Sequence, residues 1–197
     1  MENLMPFLFA AFALTGSPGP NTLSLAAAGA AFGARRSVGY MLGLLVGMIL
    51  VMSAVAAGIT GLILAIPGAL PIVTLLAAAY FLYLAWKIAT APPVGARTGE
   101  GAAPSFKAGI FLSLVNPKAY AAMGALFSGF ILVHVSPQSD ALAKIVVLTA
   151  VIAIVNCLWL SLGAAFTRLF RDPKASRVIN MIFAAALLAS LSVTLFG

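Results

Sequence analysis

"LTGSPGPNTLSL", Leu14 to Leu25, interrupts an otherwise apolar run. It holds Pro18 and Pro20, Gly16 and Gly19, and Asn21. Proline lacks a backbone donor and clashes with the preceding turn. Glycine lowers the barrier to leaving the helix. A helix entering at Leu4 is therefore expected to break near the middle of its run. Where such a run crosses lipid, the freed amides and carbonyls must face protein or a watery cavity. Asn21, directly after the prolines, brings both a donor and an acceptor to that place.

The rest of the chain makes lipid the relevant solvent. Of its 197 residues 63% are hydrophobic and 8% charged, against about 25% charged in a soluble domain. Six apolar segments are long enough to span a bilayer, at about 20 residues each. They cover residues 4–32, 38–63, 70–90, 106–133, 141–166 and 177–196. The N-terminal run follows Glu2, with no Lys or Arg before it and no small-residue cleavage site, so it is expected to remain as a membrane helix. Residues 91–105, rich in Gly, Pro and Ala, read as a loop between two halves of three segments each, residues 1–90 and 106–197. Cys157 and His134 each stand alone. No disulfide, metal site or cofactor is expected.

Charge placement sets the orientation. Arg35 and Arg36 follow the first segment, and Lys87, Arg97 and Lys107 flank the central loop. Arg168, Arg171, Lys174 and Arg177 lie between the last two segments. These nine of the eleven basic residues fall on one face, which the positive-inside rule assigns to the cytoplasm. Both termini then face outward, to the periplasm or extracellular side. Anionic lipid headgroups suffice as the partner of the basic face, and nucleic acid binding is not expected.

The second half carries its own interruption, "LVNPKAY", Leu114 to Tyr120. Asn116, Pro117 and Lys118 lie about ten residues into their segment, roughly 15 Å deep at 1.5 Å per residue. Each half thus opens with a proline-broken helix beside an asparagine. Halves of three segments run in opposite senses. The pattern is that of an inverted repeat whose broken helices meet at a central site. The expected fold is all-α and polytopic, with six transmembrane helices in two inverted three-helix repeats and breaks in helices one and four.

Lys118 is an ionisable group deep in the membrane, which by default marks a cavity or a partner. Four roles are open to it: binding a substrate carboxylate, carrying a proton, snorkelling to the cytoplasmic face, or pairing with helix-end carbonyls. The acidic residues Glu2, Glu100, Asp140 and Asp172 all lie in or near loops, so Lys118 has no expected carboxylate mate. A pocket without carboxylates suits neither a bare metal ion nor a dication. Helix N-termini attract carboxylates and helix C-termini attract ammonium groups. A small zwitterion matches both, and a neutral amino acid is the best fit. Tyr80 in the third segment is a candidate pocket residue. Asn156 in the fifth is either pocket lining or helix–helix glue. Gly39, Gly43 and Gly47 make a small-residue face for close helix packing, and such faces permit a homodimer.

Several of these stretches resemble one family. "SPGPNTLSLAAAGAAFGARRSVGYMLGLLVG" is similar to the Pro-Gly-Pro signature and glycine-spaced second helix of the LysE/RhtB family of bacterial amino-acid exporters. "LLAAAYFLYLAWKIA" resembles its third helix, and "FKAGIFLSLVNPKAYAAMGALFSGF" its Asn-Pro-Lys helix. The motifs occur in the family's order over essentially the whole chain. The resemblance implies a six-helix inner-membrane carrier that exports amino acids or related metabolites on the proton motive force. It maps the first signature onto Pro18, Gly19, Pro20 and Asn21, and the second onto Asn116, Pro117 and Lys118. With no intramembrane carboxylate, coupling to protons would have to use Lys118, a water chain or the substrate's own groups. The alternatives to a carrier are a channel-like metabolite pore and a scaffold. An enzyme is not expected, because the chain groups no catalytic array.

Overall fold

Proline placement decides where helices start in this chain as much as where they stop. The computed structural model describes residues 4–58 and 103–165, with single positions within 72–90 and 174–189. Six helices fall in the continuous stretches: α1 Leu4–Gly16, α2 Pro20–Phe32, α3 Ala34–Ala56, α4 Phe106–Leu114, α5 Pro117–Gly129 and α6 Pro137–Ala165. The molecule is all-α over these residues. Pro20, Pro117 and Pro137 each open a helix. At a first helical position the missing N–H is no loss and the fixed φ favours the turn that follows.

The sequence-based segments 4–32 and 106–133 each resolve into two helices. The first is interrupted at residues 17–19, and the second at residues 115–116. α4 and α5 meet at a bend of 63°. Gly33, at φ 81, separates α2 from α3 as a single-residue joint. This left-handed conformation favours glycine, which has no Cβ to clash. Arg35 and Arg36 therefore lie on the first turn of α3 rather than in a loop, and that helix begins four residues earlier than residue 38. α6 likewise begins four residues before the expected 141, which brings Asp140 into its first turn.

Among the described residues two helices, α3 and α6, are by themselves long and apolar enough to cross a membrane, and the bent pair α4–α5 makes a third if taken as one span. Large apolar side chains such as Phe9, Leu50, Ile154 and Leu158 point outward. A soluble protein seldom exposes so much contiguous apolar surface, whereas lipid accepts it.

The apolar interior divides at the two interruptions. One core joins Leu23, Leu25 and Ala28 of α2 to Tyr40 and Leu44 of α3, Leu112 of α4 and Leu160 of α6, and Ala85 and Ala184 reach into it. The other joins Phe7 and Ala11 of α1 to Val51 and Met52 of α3, Met123 and Leu126 of α5, and Leu148 and Val151 of α6. The polar atoms of the breaks lie between them.

Glycine sets the closest approaches. A Cβ on Gly43 would strike the Phe106 backbone, and one on Gly47 would stand 2.6 Å from Ser113 Cβ. Gly109 of α4 answers them, with Leu44 N 2.7 Å from its would-be Cβ. Gly39, expected on the same packing face, meets nothing within 4 Å. A second seam was not anticipated. A Cβ on Gly29 of α2 would stand 2.6 Å from Leu160 O, and one on Gly163 of α6 would strike the Ala26 backbone.

Candidate substrate site

Each break is built from a proline that restarts the helix. Asn116 caps α5, its Oδ1 accepting from Lys118 N at 3.1 Å. At the first break Gly19 holds the N-cap position of α2, and its N–H donates to Thr22 Oγ1 at 2.9 Å. Capping by Thr22 leaves the Asn21 side chain free to reach across the molecule.

Asn21 Nδ2 donates to Ser113 Oγ at 3.0 Å, and Asn21 Oδ1 accepts from Asn116 Nδ2 at 3.0 Å. The Ser113 hydroxyl donates in turn to Leu44 O at 3.0 Å. One continuous chain of hydrogen bonds thus runs from α3 through α4 and α2 to the cap of α5. Asn21 uses its donor and its acceptor, both on the other half of the protein.

Lys118 completes the junction. Its Nζ donates to Ser17 O at 2.9 Å, Ser17 Oγ at 2.8 Å and Pro18 O at 2.8 Å. Of the four roles open to it, pairing with helix-end carbonyls is the one seen here. An ammonium at the C-terminal end of α1 also meets the negative end of that helix dipole. The same carbonyls were the expected seat for a substrate ammonium, and in this arrangement the lysine holds that seat. Gly19 makes room for it, since a Cβ there would lie 2.8 Å from Lys118 Nζ. Trp159 of α6 covers one more freed carbonyl, its Nε1 donating to Gly16 O at 3.1 Å.

A cavity of about 50 Å³ lies at this junction. Ser17, Gly19, Pro20, Asn21, Asn116 and Lys118 form its polar wall, and Met48, Ala119, Ala122, Met123, Ile152 and Val155 its apolar wall. Pro18 sits in the first interruption, and Pro117 opens the helix that follows the second. The N-terminal ends of α2 and α5 open onto it beside the Lys118 ammonium, which offsets the negative C-terminal end of α1.

Asn156 also lines the cavity, from α6. It is 4% exposed, and its Nδ2 has no hydrogen-bond partner. It therefore does not act as helix–helix glue through that atom. Leaving such a donor unsatisfied costs about 1–3 kcal/mol. Tyr80 lies outside the described residues.

Ser113 and Trp159 were not among the expected site residues. Ser113 sits one turn before Asn116, a spacing that places both on one side of the chain. Serine is too common in membrane helices for that spacing alone to single it out. Trp159 lies three residues beyond Asn156, but only the folded packing brings it to Gly16. No group of three or more His, Cys, Asp or Glu residues that could hold a metal is found among the described residues.

Interrupted helices meeting at a buried polar junction, in a chain built for lipid, define a membrane protein of the transporter class. The chain belongs to the LysE type translocator family, which it matches over residues 12–196. It is similar to the cysteine/O-acetylserine efflux protein of Escherichia coli O139:H28 (strain E24377A / ETEC), at 32% identity over 177 residues and 87% of each chain. The proteins of the same description from Escherichia coli K12 and Shigella flexneri serotype 5b (strain 8401) are 32% identical over 176 residues, or 87% of this chain and 86% of theirs. No solved structure matches it. The chain is thus a small-molecule efflux transporter of this family, in the bacterial inner membrane.

Proposed function

We propose that the protein exports a small neutral or zwitterionic amino acid, of the size of cysteine or O-acetylserine, driven by the proton motive force. The observation that carries this reading is the meeting of the two breaks. Lys118 and Asn116 on one side are hydrogen-bonded to Ser17, Pro18 and Asn21 on the other, beside a cavity lined by both. The substrate site comprises Pro18, Gly19, Pro20, Asn21, Asn116, Pro117, Lys118 and Asn156, with Tyr80 a further candidate. The absence of a carboxylate from the described cavity wall supports a cargo without net positive charge. The named activity of the relatives supports the size class.

In this reading α1 and α2 form one broken span and α4 and α5 another, within two inverted repeats of three spans. Both termini face the periplasm, and the basic face lies on anionic headgroups. The cavity walls then come from the outer halves of the spans, α1 and α5 together with the facing turns of α3 and α6. The inner halves, α2 and α4, are sealed by the glycine seams to α6 and α3. The arrangement is the outward-facing state, after cargo release. Export alternates it with a state in which those seams part.

The test uses purified protein in liposomes preloaded with labelled cysteine, O-acetylserine or serine. The expected result is saturable release that accelerates with an imposed proton gradient and supports counterflow. Release no faster than from protein-free vesicles under every gradient would overturn the reading. Non-saturating flux without counterflow would replace the carrier with a pore.

A further inference from the structure

The polar groups of the cavity wall divide into those already engaged and one that is not. Asn21 and Asn116 bind each other, and Lys118 binds three oxygens of the first break. Thr15 Oγ1 donates to Ala11 O at 2.7 Å, and Thr22 Oγ1 accepts from Gly19 N. Asn156 also lines the cavity, and its buried Nδ2 engages nothing.

An amide N–H needs an acceptor, and an ammonium group has none to give. A carboxylate is the acceptor that the surroundings favour. The Lys118 cation and the N-terminal ends of α2 and α5 stand on the same cavity, and no carboxylate of the described wall competes. The remaining wall, Met48, Ala122, Met123, Ile152 and Val155, offers an apolar surface to a short side chain. We propose that Asn156 Nδ2 receives the carboxylate of the cargo and makes the transporter select amino acids over the corresponding amines. The inference rests on the export reading above and adds to it which group reads the acid.

The experiment compares counterflow of cysteine with cysteamine, and of serine with ethanolamine, in liposomes holding wild-type protein, N156L or N156D. Each rate is taken above that of protein-free vesicles. Wild type is expected to favour the acid over the amine by at least about tenfold, the scale of one hydrogen bond to a charged group. N156L should lower that ratio about tenfold. N156D, of the same size, should lower it further, because its carboxylate repels the substrate's own and attracts an ammonium.

The acid-to-amine ratio is a readout that a merely structural role would not move. A variant that slows both members of a pair equally, leaving the wild-type ratio, would overturn the assignment while leaving export intact. Should N156L fail to fold, the near-isosteric N156D alone decides it. Wild-type protein that moves none of the four compounds would overturn the export reading itself.

Discussion

Lys118 reaches across 100 and 101 residues of sequence to engage all three of its hydrogens on Pro18 and Ser17. A cation placed there serves two ends. It satisfies carbonyls that lipid would not, and it brings positive charge to the cavity. Lys118→Met keeps the length of the side chain and removes both. It is expected to abolish proton-driven release and to lower the stability of the purified protein by about 1–2 kcal/mol, the scale of interhelical hydrogen bonds in membranes. Transport and thermal unfolding in detergent measure the two effects. Gly19→Ala tests the same junction from the opposite side. Its methyl would intrude on the Lys118 amine at 2.8 Å, so the lysine must leave its seat. Transport is expected to fall strongly with the protein still folded, because the flexible lysine can yield. Wild-type rates in Gly19→Ala would show that the amine's position is dispensable.

At the scale of elements, glycines and one ion pair govern how the helices sit. α3 and α4 approach through Gly43, Gly47 and Gly109, and α2 and α6 through Gly29 and Gly163. A methyl forced between two backbones displaces whole helices, at about 1–3 kcal/mol. Gly43→Ala and Gly163→Ala should each lower the unfolding temperature, while Gly39→Ala, which meets open space, should not. Unfolding scans of the three variants side by side make the comparison. Farther along α6, Lys144 is 2% exposed and pairs with Asp140 at 2.6 Å. It also donates to Phe127 O at 2.9 Å, near the end of α5. Asp140 Oδ1 accepts from Leu132 N at 2.7 Å and Val133 N at 3.0 Å. The pair thus ties the α5–α6 connection to both helices. Asp140→Ala leaves the Lys144 ammonium without its counter-ion, with Phe127 O as its remaining acceptor, and two amides without theirs. A loss of about 3 kcal/mol is expected on the scale of broken buried pairs, again read by thermal unfolding.

Over the whole molecule, the outward-facing reading makes a labelling prediction. Leu14 lines the cavity and is itself exposed. Leu14→Cys, in a background with Cys157→Ala, should react with a membrane-impermeant maleimide added outside, and bound amino acid should slow that reaction. Gly29→Cys, in the sealed seam against α6, should resist the reagent from both sides. Labelling of the two positions in the opposite pattern would reverse the assignment of open and closed ends.

What the sequence determined by itself was the solvent, the helical class and the positions of both breaks. These follow from local chemistry. Composition decides between water and lipid, and proline interrupts or starts a helix wherever it stands. The asparagines and the lysine beside the prolines were legible for the same reason, since polar groups are conspicuous in an apolar run. Only the tertiary structure decided which atoms meet. That Asn21 turns to Asn116 and Ser113, that Trp159 covers Gly16, and that Asn156 is left with an unpaired donor depend on helix rotations set by backbone contact at five glycines. Such rotations are fixed by close packing between segments far apart in the chain, and local propensity carries no record of them.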